Sequence, residues 1–167
     1  MSVARLLSLR RRRLLMAAGA LALPASGRAA VEFPQVRPRP LVFPRDHGAH
    51  PEYRTEWWYL TGQLSTPAGP VGVQITFFRA RTPVDPANPS RFTAQQLVIA
   101  HAAIADPARG SLLKDERVAR AGFGIAQAAE HDTDVRLDRW TFRREPGGRY
   151  LCEVPARGFT LRFAATP

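Results

Sequence analysis

Alternation restricts this chain more than any other feature. Residues 55–65 (TEWWYLTGQLS), 71–81 (VGVQITFFRAR), 94–105 (AQQLVIAHAAIA), 134–145 (DVRLDRWTFRRE), 149–154 (RYLCEV) and 158–165 (GFTLRFAA) each approach an every-second-residue apolar pattern. That is the period of a strand with one buried face, whereas a helix needs apolar residues three and four apart. Turn residues separate the segments: TPAGP at 66–70, TPVDPANPSR at 82–91, DPARGS at 106–111, EPGG at 145–148 and PARG at 155–158. Six short strands without a long helix predict an antiparallel meander, either barrel or sandwich. The alanines of 94–105 leave a helix open there, and 111–130 reads as a short helix or a loop.

The alternation assigns faces. In the first strand it puts Trp57, Tyr59 and Thr61 on one side and Glu56, Trp58, Leu60 and Leu64 on the other. The next segment places Val71, Val73, Ile75, Phe77 and Arg79 opposite Gln74, Thr76 and Phe78, and the two segments read as a hairpin. His101 shares a face with Leu97 and Ile99, while Phe159, Leu161 and Phe163 line one side of the last strand. Upstream, 31–54 is a proline-rich extended lead-in that carries DHGAH. Proline neither donates to a sheet nor sits inside a helix.

Residues 1–30 form a separate unit. Five arginines precede the apolar run LLMAAGALALPASG (14–27), and small residues follow, which is the layout of an export signal. Paired arginines directly before Leu14 favour the twin-arginine route, with cleavage expected near Ala29 and a periplasmic or secreted product. The run is shorter than the roughly 20 apolar residues of a membrane span, so no stable membrane anchor is expected. Removing this segment takes away six arginines and leaves 18 basic against 14 acidic residues, +4 where the whole chain has +10. No basic cluster follows residue 30, so nucleic acid is not an expected partner. Cys152 is the single cysteine, which excludes an internal disulfide and a zinc–cysteine site.

The stretch FPRDHGAHPEYRTEWWYLTGQL (43–64), followed in order by GVQITFFRAR, QLVIAHAAIAD and LDRW, resembles the lipocalin-like family of carotenoid 1,2-hydratase (hydroxyneurosporene synthase) and its secreted AttH-like relatives. The resemblance covers about residues 43–165. It implies an all-β, antiparallel, lipocalin-like (calycin-type) barrel, the first of two in tandem, with 55–167 a β-domain truncated at its C-terminus. The second barrel, which would be a partner of this one, is not expected within these residues.

The implied chemistry is addition of water to a carbon–carbon double bond of an apolar isoprenoid. Its hard step is protonation of the alkene, which calls for a carboxylic acid with a raised pKa in an apolar pocket. Asp46 and Glu56 are the candidate acids, and His47 or His101 would position water. The faces of Trp57, Trp58 and Tyr59 suit a developing cation or a long apolar ligand, and Phe78, Arg79 and His101 are further candidates for ligand binding. No cofactor is needed.

Each residue also has a plainer role. Aromatic residues in strands usually pack, and only one of Trp57 and Trp58 can face a barrel interior. Glu56 has Arg54 and Arg79 as ion-pair partners, and His101 suits a hydrogen-bonded core position. His47 and His50, with Asp46 and Glu52 nearby, match zinc ligand types, but Gly48 and the surrounding prolines leave the imidazoles in no fixed relation, so no metal is assigned. Ser65, Ser90 and Ser111 lie in turns without a nucleophile-elbow pattern. A non-catalytic lipid or isoprenoid carrier accounts for the same aromatic lining.

Overall fold

A computed structural model describes residues 31–167, which form one compact unit. The export signal expected over 1–30 lies outside the described residues. Among the described residues, nine strands make two antiparallel sheets. The first contains β1 (Thr55–Thr66), β2 (Gly69–Arg81), β3 (Gln96–Asp106) and β4 (Ser111–Arg120) in sequential order. The second contains β5 (Ala126–Ala128), β6 (Asp134–Leu137), β7 (Trp140–Arg144), β8 (Tyr150–Ala156) and β9 (Phe159–Ala165), again in order. The alternating segments thus become an all-β meander, and the rival helix at 94–105 does not form.

Two expectations are corrected. The stretch 111–130 is neither a helix nor a loop throughout: SLLKDERVAR makes β4, and AQA makes β5. Two charged side chains on the inner face of β4, Asp115 and Arg117, break the apolar alternation. The segment 134–145 is two strands, because Asp138 at φ 55° turns the chain between Leu137 and Trp140, which pair directly. Asp tolerates that left-handed conformation without a glycine to announce it.

The sheets pack face to face through alternating rows. In β3 the inner row is Val98, Ala100 and Ala102, so Leu97, Ile99 and the exposed His101 face outward and His101 takes no core position. Val73, Ile75 and Phe77 of β2 and Val98, Ala100 and Ala102 of β3 meet Val135, Leu137, Trp140, Phe142, Cys152 and Val154. Phe77 is 0% exposed and stacks on Phe142 with ring centroids 6.4 Å apart. Truncating such a ring to alanine costs about 3–5 kcal/mol through lost burial and the cavity left behind. The inward charges of β4 are accommodated individually. Asp115 accepts from Arg157 N (2.9 Å) and Arg157 Nε (3.0 Å). Arg117 lies 4.8 Å from the Trp140 ring centroid and donates to Asp138 Oδ2 and the Pro155 carbonyl.

Among the described residues, β1 and β9 each have one paired neighbour, so the lipocalin-like barrel is not closed. The lead-in joins the two sheets near this seam. Its single 3₁₀ turn, Arg45–His47, is followed by Ala49 N donating 2.7 Å to the Ala129 carbonyl. Gly48 permits this approach: a Cβ there would fall against the Glu130 carbonyl.

Candidate functional site

The inner face of β1 carries Glu56, Trp58 and Leu60 into the seam. Strand register sets Glu56 opposite Arg79 of β2 and Trp58 opposite Phe77. Of the two ion-pair partners expected for Glu56, the register selects Arg79, since Arg54 precedes β1 and is exposed. Arg79 is 2% exposed, and a guanidinium so deep requires partners for all its N–H groups. Nε donates 2.6 Å to Glu56 Oε2, Nη1 donates 2.7 Å to Gln96 Oε1, and Nη2 donates to the carbonyls of His50 (3.0 Å) and Tyr53 (2.8 Å). The same arginine therefore pins the lead-in to the sheet.

Glu56 faces two donors from the lead-in as well, His50 N at 2.8 Å and His50 Nδ1 at 2.7 Å from Oε1. The other ring nitrogen of His50, Nε2, lies 3.0 Å from Asp46 Oδ1. An imidazole held between two carboxylates is favoured as the cation. Partial burial acts against that charge, but the bonds to Asp46 and Glu56 outweigh it and raise the His50 pKa. Asp46 accepts two bonds from Arg39 (2.8 and 2.9 Å), one from Val42 N and one from Arg45. The Arg39 bonds, then the Val42 amide and His50, hold its carboxyl well below the usual carboxylate range. Asp46 is ionised at neutral pH, so its environment is the opposite of the apolar pocket that a general acid requires.

Next to this network a cavity of about 490 Å³ opens between β1 and the β8–β9 side of the second sheet. Trp58, Leu60, Phe142 and Tyr150 give it an apolar lining, and Ala165 to Pro167 border it. Its polar side is formed by Asp46, His47, His50, Glu56 and Thr133. The His47 ring stacks on Phe43 (centroids 4.3 Å apart), and Nδ1 lies 3.4 Å from the Tyr150 hydroxyl. The His47 carbonyl accepts from Trp58 Nε1 and Thr133 Oγ1, each at 2.9 Å, which fixes the indole against the lead-in.

Six sequence-derived residues come together here: Asp46, His47, Glu56, Trp57, Trp58 and Tyr59 all border the cavity. Trp58 faces inward, whereas Trp57 (58% exposed) and Tyr59 lie on the outer face and reach the rim. Arg79 lies beneath as the clamp on Glu56. Phe78 and His101 are not part of this cluster. They lie on the outer face of the first sheet, their rings edge-on at 5.4 Å. The sequence reading treated His50 only as a metal ligand and passed over Tyr150, Thr133 and Phe142. Tyr150 stands 103 residues from His47, and no local pattern links them.

Among the described residues no group of three or more His, Cys, Asp or Glu is disposed to hold a metal ion. Burial pushes the Cys152 thiol up to about 12, so it is no nucleophile at neutral pH.

The sequence model of a family described as AttH-like matches residues 34–167. A solved structure of a Nitrosomonas europaea protein provisionally called an AttH superposes with a TM-score of 0.68 at 49% identity, over 79% of this chain and 39% of that one. The chain thus spans about two fifths of that relative's length. No curated protein matches it.

Proposed function

The chain belongs to the AttH-like family, and from that premise we propose that it binds an elongated apolar molecule of isoprenoid or lipid type in the seam between its sheets. The observation that carries this reading is the cavity of about 490 Å³, with an apolar wall of Trp58, Leu60, Phe142 and Tyr150 and a polar side of Asp46, His47, His50, Glu56 and Thr133. A pocket with an aromatic and aliphatic wall facing a polar side suits a ligand with a long apolar body and a polar end. Asp46, His50 and Glu56 of that polar side are engaged with one another and with Arg39 and Arg79, which do not line the cavity. Export by the twin-arginine route, as the N-terminal arginines and apolar run suggest, and a second lipocalin-like barrel as partner both belong to this proposal.

Titration of the full chain with a long-chain isoprenoid alcohol, followed by tryptophan fluorescence, tests it. Saturable quenching that disappears in Trp58→Leu and persists in Trp57→Leu is the expected result. Equal loss in both variants, or none in either, contradicts it.

Hydration of the bound double bond is the second reading, favoured by Glu56 lying at the same cavity as the aromatic walls. It requires a proton donor, and Asp46 is held in the ionised form. Glu56 would have to leave Arg79 and His50 before it protonated an alkene.

A further inference from the structure

We propose that the loops at 91–93 and 121–125 form a docking tip for an anionic phospholipid surface. Phe92, Phe123, Arg91 and Arg120 do not line the cavity, and the proposal does not depend on what the cavity holds.

Three consecutive residues, Gly122, Phe123 and Gly124, take positive φ values of 102°, 55° and 72°. For the two glycines this is ordinary, but a phenylalanine there is strained. The strain is not offset by burial of the ring, because Phe123 is 49% exposed. The ring stacks instead on Phe92 of the other loop, 65% exposed, with centroids 5.7 Å apart and planes 8° from parallel. Ile125 beside them is exposed too. The loop therefore presents apolar side chains outward.

Two arginines frame the stack. Arg120 lies 4.2 Å from the Phe123 centroid, and Arg91 lies 5.8 Å from it and 5.9 Å from that of Phe92. Arg120 Nη1 donates to the Phe92 carbonyl, joining the loops. Among the described residues neither arginine forms an ion pair, although eleven ion pairs occur elsewhere in the domain.

Charge complementarity selects the occupant. Exposed phenylalanines enter the boundary between headgroups and acyl chains, and unpaired guanidiniums above them meet lipid phosphates. Two loops bearing two rings are too small for a stable protein interface, which buries about 800 Å² per partner.

The test uses the full chain and vesicles of phosphatidylglycerol or of phosphatidylcholine. Sedimentation should show binding to the anionic vesicles, weakened about tenfold in Phe92→Ser/Phe123→Ser through lost apolar insertion. Arg91→Gln/Arg120→Gln should lose at least about tenfold through lost attraction to phosphate, and Arg162→Gln should match the parent. Because residues 1–30 are present in every chain, a second readout reports on the tip itself. In Phe123→Trp, brominated acyl chains should quench emission beyond the quenching of the native tryptophans. Equal binding by all variants, equal binding to neutral vesicles, or no added quenching in Phe123→Trp would each overturn the proposal.

Discussion

Replacing Arg79 by methionine tests whether the charged network is a clamp. Methionine fills much of the volume of the arginine stem but supplies none of its donors. The change removes the 2.6 Å ion pair with Glu56 and the bonds to Gln96, His50 and Tyr53. Removing one member of a buried pair costs about 3–5 kcal/mol, because the other charge stays behind without compensation. The Glu56 side chain is 16% exposed, so water reaches it and the lower end applies, about 3 kcal/mol. In a domain of this size that lowers Tm by about 10 °C. Urea unfolding followed by tryptophan fluorescence measures it, with Glu56→Gln and the double variant completing a cycle. Coupling between the two positions should exceed about 1 kcal/mol. A loss below about 1 kcal/mol in Arg79→Met, with no coupling to Glu56, would refute the clamp.

Three further outcomes follow from the same contacts. Gly48→Ala should destabilise the domain by about 1–3 kcal/mol in urea, since the added methyl meets the Glu130 carbonyl and the lead-in must move. Trp57→Ala should leave stability within about 0.5 kcal/mol, as is usual at exposed sites, while Trp58→Ala loses its bond to His47 and at least about 2 kcal/mol. The pH dependence has two limbs. The folded pKa of His50 is raised above its ordinary 6.5, so its contribution is complete below about pH 6.5 and is lost as pH rises through the folded value. The folded pKa of Asp46 is lowered below its ordinary 3.8, so its contribution is present above that value and is lost as pH falls toward the folded one. Thermal unfolding should therefore peak between about pH 4 and 6.5, and His50→Gln should flatten the alkaline limb and weaken the acid limb, because the His50 bond also lowers the Asp46 pKa.

Where side chains alternate and the core is apolar, the fold is legible from the residues. TEWWYLTGQLS and VGVQITFFRAR specify β1, β2 and their faces, because a one-residue slip would expose Ile75 and Phe77 and bury Gln74. The Glu56–Arg79 pair follows from the same register, since each lies two residues beyond an apolar inner position. Legibility fails where a long-range partner satisfies a local exception. Asp115 and Arg117 look wrong for an inner face until Arg157, Asp138 and Trp140 arrive from the second sheet. Asp138 turns the chain without glycine or proline, so DVRLDRWTFRRE reads as one strand. At the site, Asp46, Glu56 and the aromatic residues were legible as a group because they are close in sequence. The apolar wall was not, because Phe142 and Tyr150 come from strands whose approach depends on the packing of two sheets.

The proposed apolar ligand would occupy the cavity while the carboxylates Asp46 and Glu56 stay engaged with arginine and histidine. The most direct test incubates the full, delipidated chain with an acyclic carotenoid or a long-chain isoprenoid in oxygen-18 water, followed by native and product mass spectrometry. Ligand retained in the protein, unmodified and free of heavy oxygen, is the predicted result. A product alcohol carrying oxygen-18, or a protein that retains no ligand at all, would contradict it.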